Sequence, residues 1–305
     1  MKSKKISLII TTIILLITAC SKIKTNPDIV YIINKIDKEC KITMHYAILN
    51  KCRKQKKSFF ELQKRIGIEE VLPTLTYFFT NENKRKATIA TYFLYYLRSY
   101  FSKIVKSPKL VKKSITKNLI VGLKNMTDYQ AYYAAIPITN LAMLHGLEEE
   151  IFTVASSHPQ DTVRNAIYRN AMQYGRLKVF DKIKVASRSK KKHLAFNAIA
   201  STQKMFNMTK KERYKVCDWL KTIINRPVER ESTEAAKTLV TRCKGEYIDI
   251  VLDKLEKLSK VELKKSPMRF ILSSYSFYCK KHFSKKSNGT KMQCKRKEIL
   301  KAKLK

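Results

Sequence analysis

Six cysteines fall into three local couples along the chain. Cys40 and Cys52, Cys217 and Cys243, and Cys279 and Cys294 are 12, 26 and 15 positions apart. Sequential disulfide pairing is the simplest arrangement, because each spacing joins two neighbouring antiparallel helices or a helix and its loop. Buried free thiols are the other reading. An exported chain meets an oxidising compartment where disulfides persist. Closing a 15-residue loop stabilises by about 3 kcal/mol on the chain-entropy account. Cys279-x-x-His282 together with Cys294 also supplies three zinc-capable ligands. A tetrahedral structural site takes four, and no fourth is in view. No metal and no other cofactor is therefore expected.

Nothing else in the chain has the spacing of a reaction centre. The five histidines, His45, His145, His158, His193 and His282, are isolated. His145-Gly146 has the form of a helix end, and His158 precedes Pro159 in a turn. Glu148, Glu149 and Glu150 are consecutive, so they point to different faces and suit a helix start better than an acid/base pair. The sequence has no Walker loop, GxGxxG, HExxH, G-x-S-x-G or C-x-x-C. The one tryptophan, Trp219, sits beside Cys217 and Leu220, as a core residue would. The runs Tyr92–Tyr96 and Tyr132-Tyr133 suit core packing of a wide helix face. Rings among cations also stack on sugars or bases.

Charge is the outstanding feature. There are 64 Lys and Arg against 24 Asp and Glu, a formal net charge of +40. AT-rich coding raises Lys, but it raises Glu too, and acids here are scarce. The excess is clumped. Lys103, Lys106, Lys109, Lys112, Lys113 and Lys117 recur at short steps in one segment. Lys182, Lys184, Arg188, Lys190, Lys191 and Lys192 form a second group, and Lys295, Arg296 and Lys297 a third, within a basic tail over 281–305. Lys51, Arg53, Lys54, Lys56 and Lys57 form a further cluster. Such a surface attracts polyanions and anionic membranes. A chain rich in Lys, Ile, Asn and Tyr carries some of this as compositional bias on solvated faces, and the two readings stand side by side.

The elements that carry these residues are helices. With 44% hydrophobic residues the chain can bury a core, and six Gly and seven Pro are too few for a hairpin-rich β fold. Apolar residues recur at helical period in 89–105, 163–174, 235–243 and 248–261, and no stretch alternates as a strand does. Pro137 should end or kink a helix. Gly122 and Gly146 fall near expected helix ends. Polar, cap-rich segments precede small residues at Ala87, Ala131, Ala166, Ala195 and Ala235. Those steps have the length of one two-helix repeat. The expectation is an all-α chain: one continuous unit over 28–280, followed by a polar tail, with an irregular helical bundle as the alternative.

The stretch 158–176 (HPQDTVRNAIYRNAMQYGR) resembles a HEAT-type repeat, with Asp161, Val163, Arg164, Ala166, Ala171 and Gly175 in the family's places. The resemblance implies an α-solenoid of antiparallel helix pairs that serves as a binding scaffold. The match is good in this repeat and degenerate elsewhere.

The first residues resemble an export signal. Lys2, Lys4 and Lys5 precede an apolar run from Ile6 to Ile17 that is too short to span a bilayer comfortably. Ile17-Thr18-Ala19-Cys20, followed by Ser21, resembles the lipobox of bacterial lipoproteins. That implies cleavage before Cys20, a diacylglyceryl thioether on its sulfur and a third acyl chain on the new N-terminus. An uncleaved anchor and an ordinary signal peptide cleaved after Cys20 are the other readings. Two or three acyl chains hold a protein essentially permanently. Ser21 in place of Asp favours the outer membrane. Losing residues 1–19 removes three lysines and leaves a formal charge of +37.

The function expected is a lipid-anchored, non-catalytic cell-envelope scaffold that presents a basic surface to an acidic glycan, anionic lipid or acidic protein. The alternative is a basic HEAT-like nucleic-acid-binding or DNA-repair-type protein, which export makes less apt.

Overall fold

A computed structural model describes residues 23–40, 52–81, 83–101, 107, 111–126, 130–226, 229–267, 269, 271–272, 279 and 288–304. Among these the chain is all-α, with no strand. Two compact units divide at Pro137/Ile138.

The first unit holds α1 (Pro27–Glu39), α2 (Arg53–Ile66), α3 (Ile68–Phe79), α4 (Lys84–Leu97), α5 (Lys113–Asn125) and the start of α6 (Ala131–Leu144). The Asn26 side chain caps α1 by accepting from the Asp28 and Ile29 amides, and Pro27 supplies a pre-set φ at its first position. The Asn26 amide donates to Thr74 Oγ1 at 2.7 Å, so the chain is tied to α3 as soon as the helix begins. Asn83 caps α4 in the same way. Helices α3 and α4 pack along their length, α1 lies against both, and α5 packs on α3. Gly122 lies in the last turn of α5. A Cβ there would come within 2.8 Å of the Phe79 ring, so glycine permits the close approach.

Helix α6 runs through Pro137 without ending. Proline costs it one backbone hydrogen bond, but Ala134, Ala135, Ile138, Leu141 and Ala142 around it are fully buried, and that packing outweighs the loss. Gly146, at φ +65°, closes the helix, with the Leu147 amide donating back to Ala142 O at 2.9 Å.

The second unit continues with α7 (Glu148–Ser157), α8 (Asp161–Gly175), α9 (Phe180–Ala186), α10 (Lys192–Ser201), α11 (Lys210–Ile224), α12 (Glu229–Thr238), α13 (Glu246–Glu256), α14 (Lys260–Lys265) and α15 (Asn288–Leu304). Glu148 to Glu150 form the first turn of α7, where the helix dipole favours acid. The two-helix period is visible in packing: α8, α10 and α12 contact one another in succession, and α7, α9 and α11 each pack on the helix that follows. Ala87, Ala131, Ala166, Ala195 and Ala235 lie on α4, α6, α8, α10 and α12, and all five are buried. In the second unit the small side chains of Ala166, Ala195 and Ala235 let α8, α10 and α12 come close. Within α8, Arg164 holds the entry by bonding to His158 O and pairing with Asp161.

The segment expected as a polar tail is instead helical from 288 to 304 and packs on α13 and α14. Its sequence lacks an amphipathic stripe strong enough to announce a docked helix. A disulfide and a set of ion pairs hold it.

All three cysteine couples are disulfides, paired sequentially, with Cα separations of 5.9, 5.9 and 5.8 Å. Since Cys279 and Cys294 are joined to each other, neither sulfur is available to a zinc ion. No helix among the described residues is long and apolar enough to cross a membrane.

Candidate functional site

Surplus cations in this protein meet one of three ends: a carboxylate, an aromatic ring, or water. The basic groups expected from the sequence divide among them.

Arg296 takes the first course. Its guanidinium meets Asp249 at 3.0 Å, Glu256 at 2.8 Å and Asp253 at 2.5 Å, all on α13. Gln293 adds bonds to Asp249 and to Gly245 O. The Arg296 hydrogen bond holds Glu256 below the usual carboxylate range, and the carboxylates in turn raise Arg296. Lys297 is 1% exposed and pairs with Glu298. Neither Arg296 nor Lys297 is open to an outside polyanion, so two of the three expected C-terminal cations are structural. Lys295 remains exposed.

The turn between α9 and α10 exposes Arg188, Lys190 and Lys191, and Lys192 opens α10. Lys113 and Lys117 are exposed on α5. Lys103, Lys106 and Lys109 lie outside the described residues, as do Cys20 and His282.

A better-built surface lies in the first unit, on α2 and α4. Helix α2 carries Arg53, Lys54, Lys56, Lys57, Lys64 and Arg65 against one acid, Glu61. Phe59 and Leu62 bury the opposite side. Arg53, Lys57 and Lys64, spaced by four and seven, share one exposed strip with Phe60 between them. Beside the strip, Lys56 Nζ lies 5.3 Å from the Tyr92 ring and 4.8 Å from the Tyr96 ring. Burial and neighbouring Tyr96 push the Tyr92 hydroxyl far up, so it stays neutral.

Tyr96 is 38% exposed and packs edge-on against Phe60 and Tyr95. Tyr95 meets Tyr133 at 5.5 Å, and Tyr133 meets Tyr132 at 4.8 Å. Arg98 lies over the Tyr95 ring at 3.8 Å and donates to its carbonyl. The result is a row of half-exposed rings bordered by cations, standing on a core of Phe59 stacked on Phe93. The charge cluster and both tyrosine runs are plain in the sequence. Their adjacency is not, since it depends on the tertiary contact of α2 with α4.

Trp219 is half-buried edge-on against Phe180, which also carries Lys184. That ring serves packing. His158 is buried, and its Nδ1 accepts from the Gln160 amide at 3.1 Å, a turn-forming role.

No protein-family model matches the chain, and no curated protein matches it in sequence.

Proposed function

We propose that the protein is a non-catalytic binding scaffold of the bacterial cell envelope, held to a membrane by acyl chains on Cys20, whose helix pairs are of HEAT type. The ring-backed basic face of α2 and α4 takes the acidic partner. The observation that carries this reading is the exposed strip Arg53, Lys57 and Lys64 set beside half-exposed Tyr96. Cations alone suit any anion. A flat ring beside them suits a polymer with both flat faces and acid groups, which favours an acidic glycan over an anionic lipid or an acidic protein. The same pairing of rings and cations also fits single-stranded nucleic acid, the second reading. The outer membrane is the favoured location, on Ser21.

The test compares two triple variants of equal charge. Arg53→Gln/Lys57→Gln/Lys64→Gln should weaken binding to an acidic polysaccharide about tenfold, since each surface charge contributes about 0.5 kcal/mol. Lys112→Gln/Lys117→Gln/Lys124→Gln should leave it nearly unchanged. Equal losses would mean diffuse charge and would defeat the reading, and tighter binding to an oligonucleotide than to the glycan would favour the second one. Labelled palmitate should mark the wild type and not Cys20→Ser. An unlabelled wild type removes the anchor.

A further inference from the structure

The second unit contains a pair of arginines that no carboxylate among the described residues answers. Arg213 lies on α11, one turn before Cys217, and so on the same side of that helix. Arg242 immediately precedes Cys243 in a π-helical stretch, Leu239–Cys243, that continues α12. The Cys217–Cys243 disulfide holds its two Cα atoms 5.9 Å apart and so brings both arginines to one end of the α11–α12 pair. Single π turns are rare and recur at functional positions.

Both guanidiniums fold onto the same loop, 202–209. Arg242 Nε donates to Gln203 O at 2.8 Å, and its plane lies 4.1 Å from the ring of Phe206, a phenylalanine left 54% exposed. Arg213 Nη2 reaches Met208 O at 3.4 Å, a weak bond, and its Nε is enclosed with no acceptor. Among the described residues, no carboxylate is within ion-pair distance of either group. The carboxylate next to Arg213, Glu212, is taken by Arg176 at 2.9 Å and by Thr209. Burial, and then the like charge of Arg213, draw the Arg242 pKa down. Two like charges are thus confined together with donors unused, an arrangement an oxyanion would relieve.

We propose that Arg213 and Arg242, clamped by the Cys217–Cys243 disulfide and backed by Phe206, form a binding site for a phosphate group, either free phosphate or the terminal phosphate of a phosphomonoester. A phosphate offers several acceptor oxygens to two planar forks, and it brings the negative charge the site lacks. This site is separate from the α2–α4 face, and neither requires the other.

The experiment titrates the full chain, in non-ionic detergent at low ionic strength, with inorganic phosphate by calorimetry. One phosphate per chain is expected. Arg242→Lys and Arg213→Lys keep the charge and lose the fork, and each should weaken binding about tenfold, the effect of one charge-assisted hydrogen bond. Lys215→Gln, exposed on the same helix, loses a charge and should bind as wild type. Lysine variants that bind as tightly as wild type would overturn the proposal, since the field of a +40 chain would then account for the anion. So would a stoichiometry well above one. A parallel titration with vesicles containing phosphatidic acid separates the sources: tighter binding there, lost in Arg242→Lys, identifies a lipid phosphate, and tighter binding of inorganic phosphate identifies the free ion. Cys217→Ser/Cys243→Ser keeps both arginines and should weaken binding. Far-UV dichroism of each variant shows whether the helices are intact.

Discussion

Helices α2 and α15 have the same charge inventory: six cations and one acid each, in 14 and 17 residues. They use it in opposite ways. On α15 Arg296 binds three carboxylates of α13 and Lys297 is buried, while Lys291 and Lys295 stay exposed. On α2, Glu39 of neighbouring α1 bonds Gln55 rather than a cation. Apart from Lys57, which reaches Glu61 at 3.7 Å, its cations lie against rings or in water. Counting lysines therefore does not locate a polyanion surface. The position of the few carboxylates does, because each one it meets converts a cation from ligand to strut.

The comparison can be broken at its strongest point first. Cys279→Ser/Cys294→Ser opens the covalent link between α15 and the chain before it, and should cost about 3 kcal/mol on the chain-entropy account. Hydrogen exchange should rise first in 288–304. Uniform exchange across the second unit would mean that the bridge does not specifically hold α15. Next, Arg296→Met should cost about 2 kcal/mol by denaturant unfolding, less than a fully buried pair because its carboxylate partners are 41–58% exposed. A neutral result would place α15 among tails that merely rest on the body.

Acid provides a milder test. The Glu256 carboxyl is depressed in the folded chain by Arg296. Its contribution is thus complete above the unfolded value of about 4.3 and is lost as pH falls through the lower folded value. Docking of α15 should weaken below about pH 4, seen as exchange in 288–304, while the ring contacts of α2, which involve no carboxylate, should persist. Parallel loss of both would refute the contrast. The smallest effect expected is Tyr96→Ala, which removes one ring from Lys56: glycan affinity should fall about threefold, from a cation–π and stacking loss near 0.6 kcal/mol, with little change in stability.

The fold class was legible because α8, α12 and α13 have clean apolar periodicity, and the marker alanines fall on alternate helices. Sequential disulfides were legible from spacing alone. Helix α15 was not, since its residues read as a charged tail and its docking depends on acids some 40 positions away. Pro137 does not end its helix, because burial on both sides of it outweighs the lost hydrogen bond. The α2–α4 face was half legible. Its cations and tyrosines are obvious clusters, but only tertiary packing sets them side by side. The π stretch at Leu239–Cys243 has no signature in its residues.

Lys56 on its two tyrosines shows what a ring does that a carboxylate does not. An acid fixes a lysine by cancelling its field. A ring fixes it and leaves the field standing. Orientation and potential, which usually trade against each other, are both retained, and copies of the chain brought close together on a surface would still repel one another.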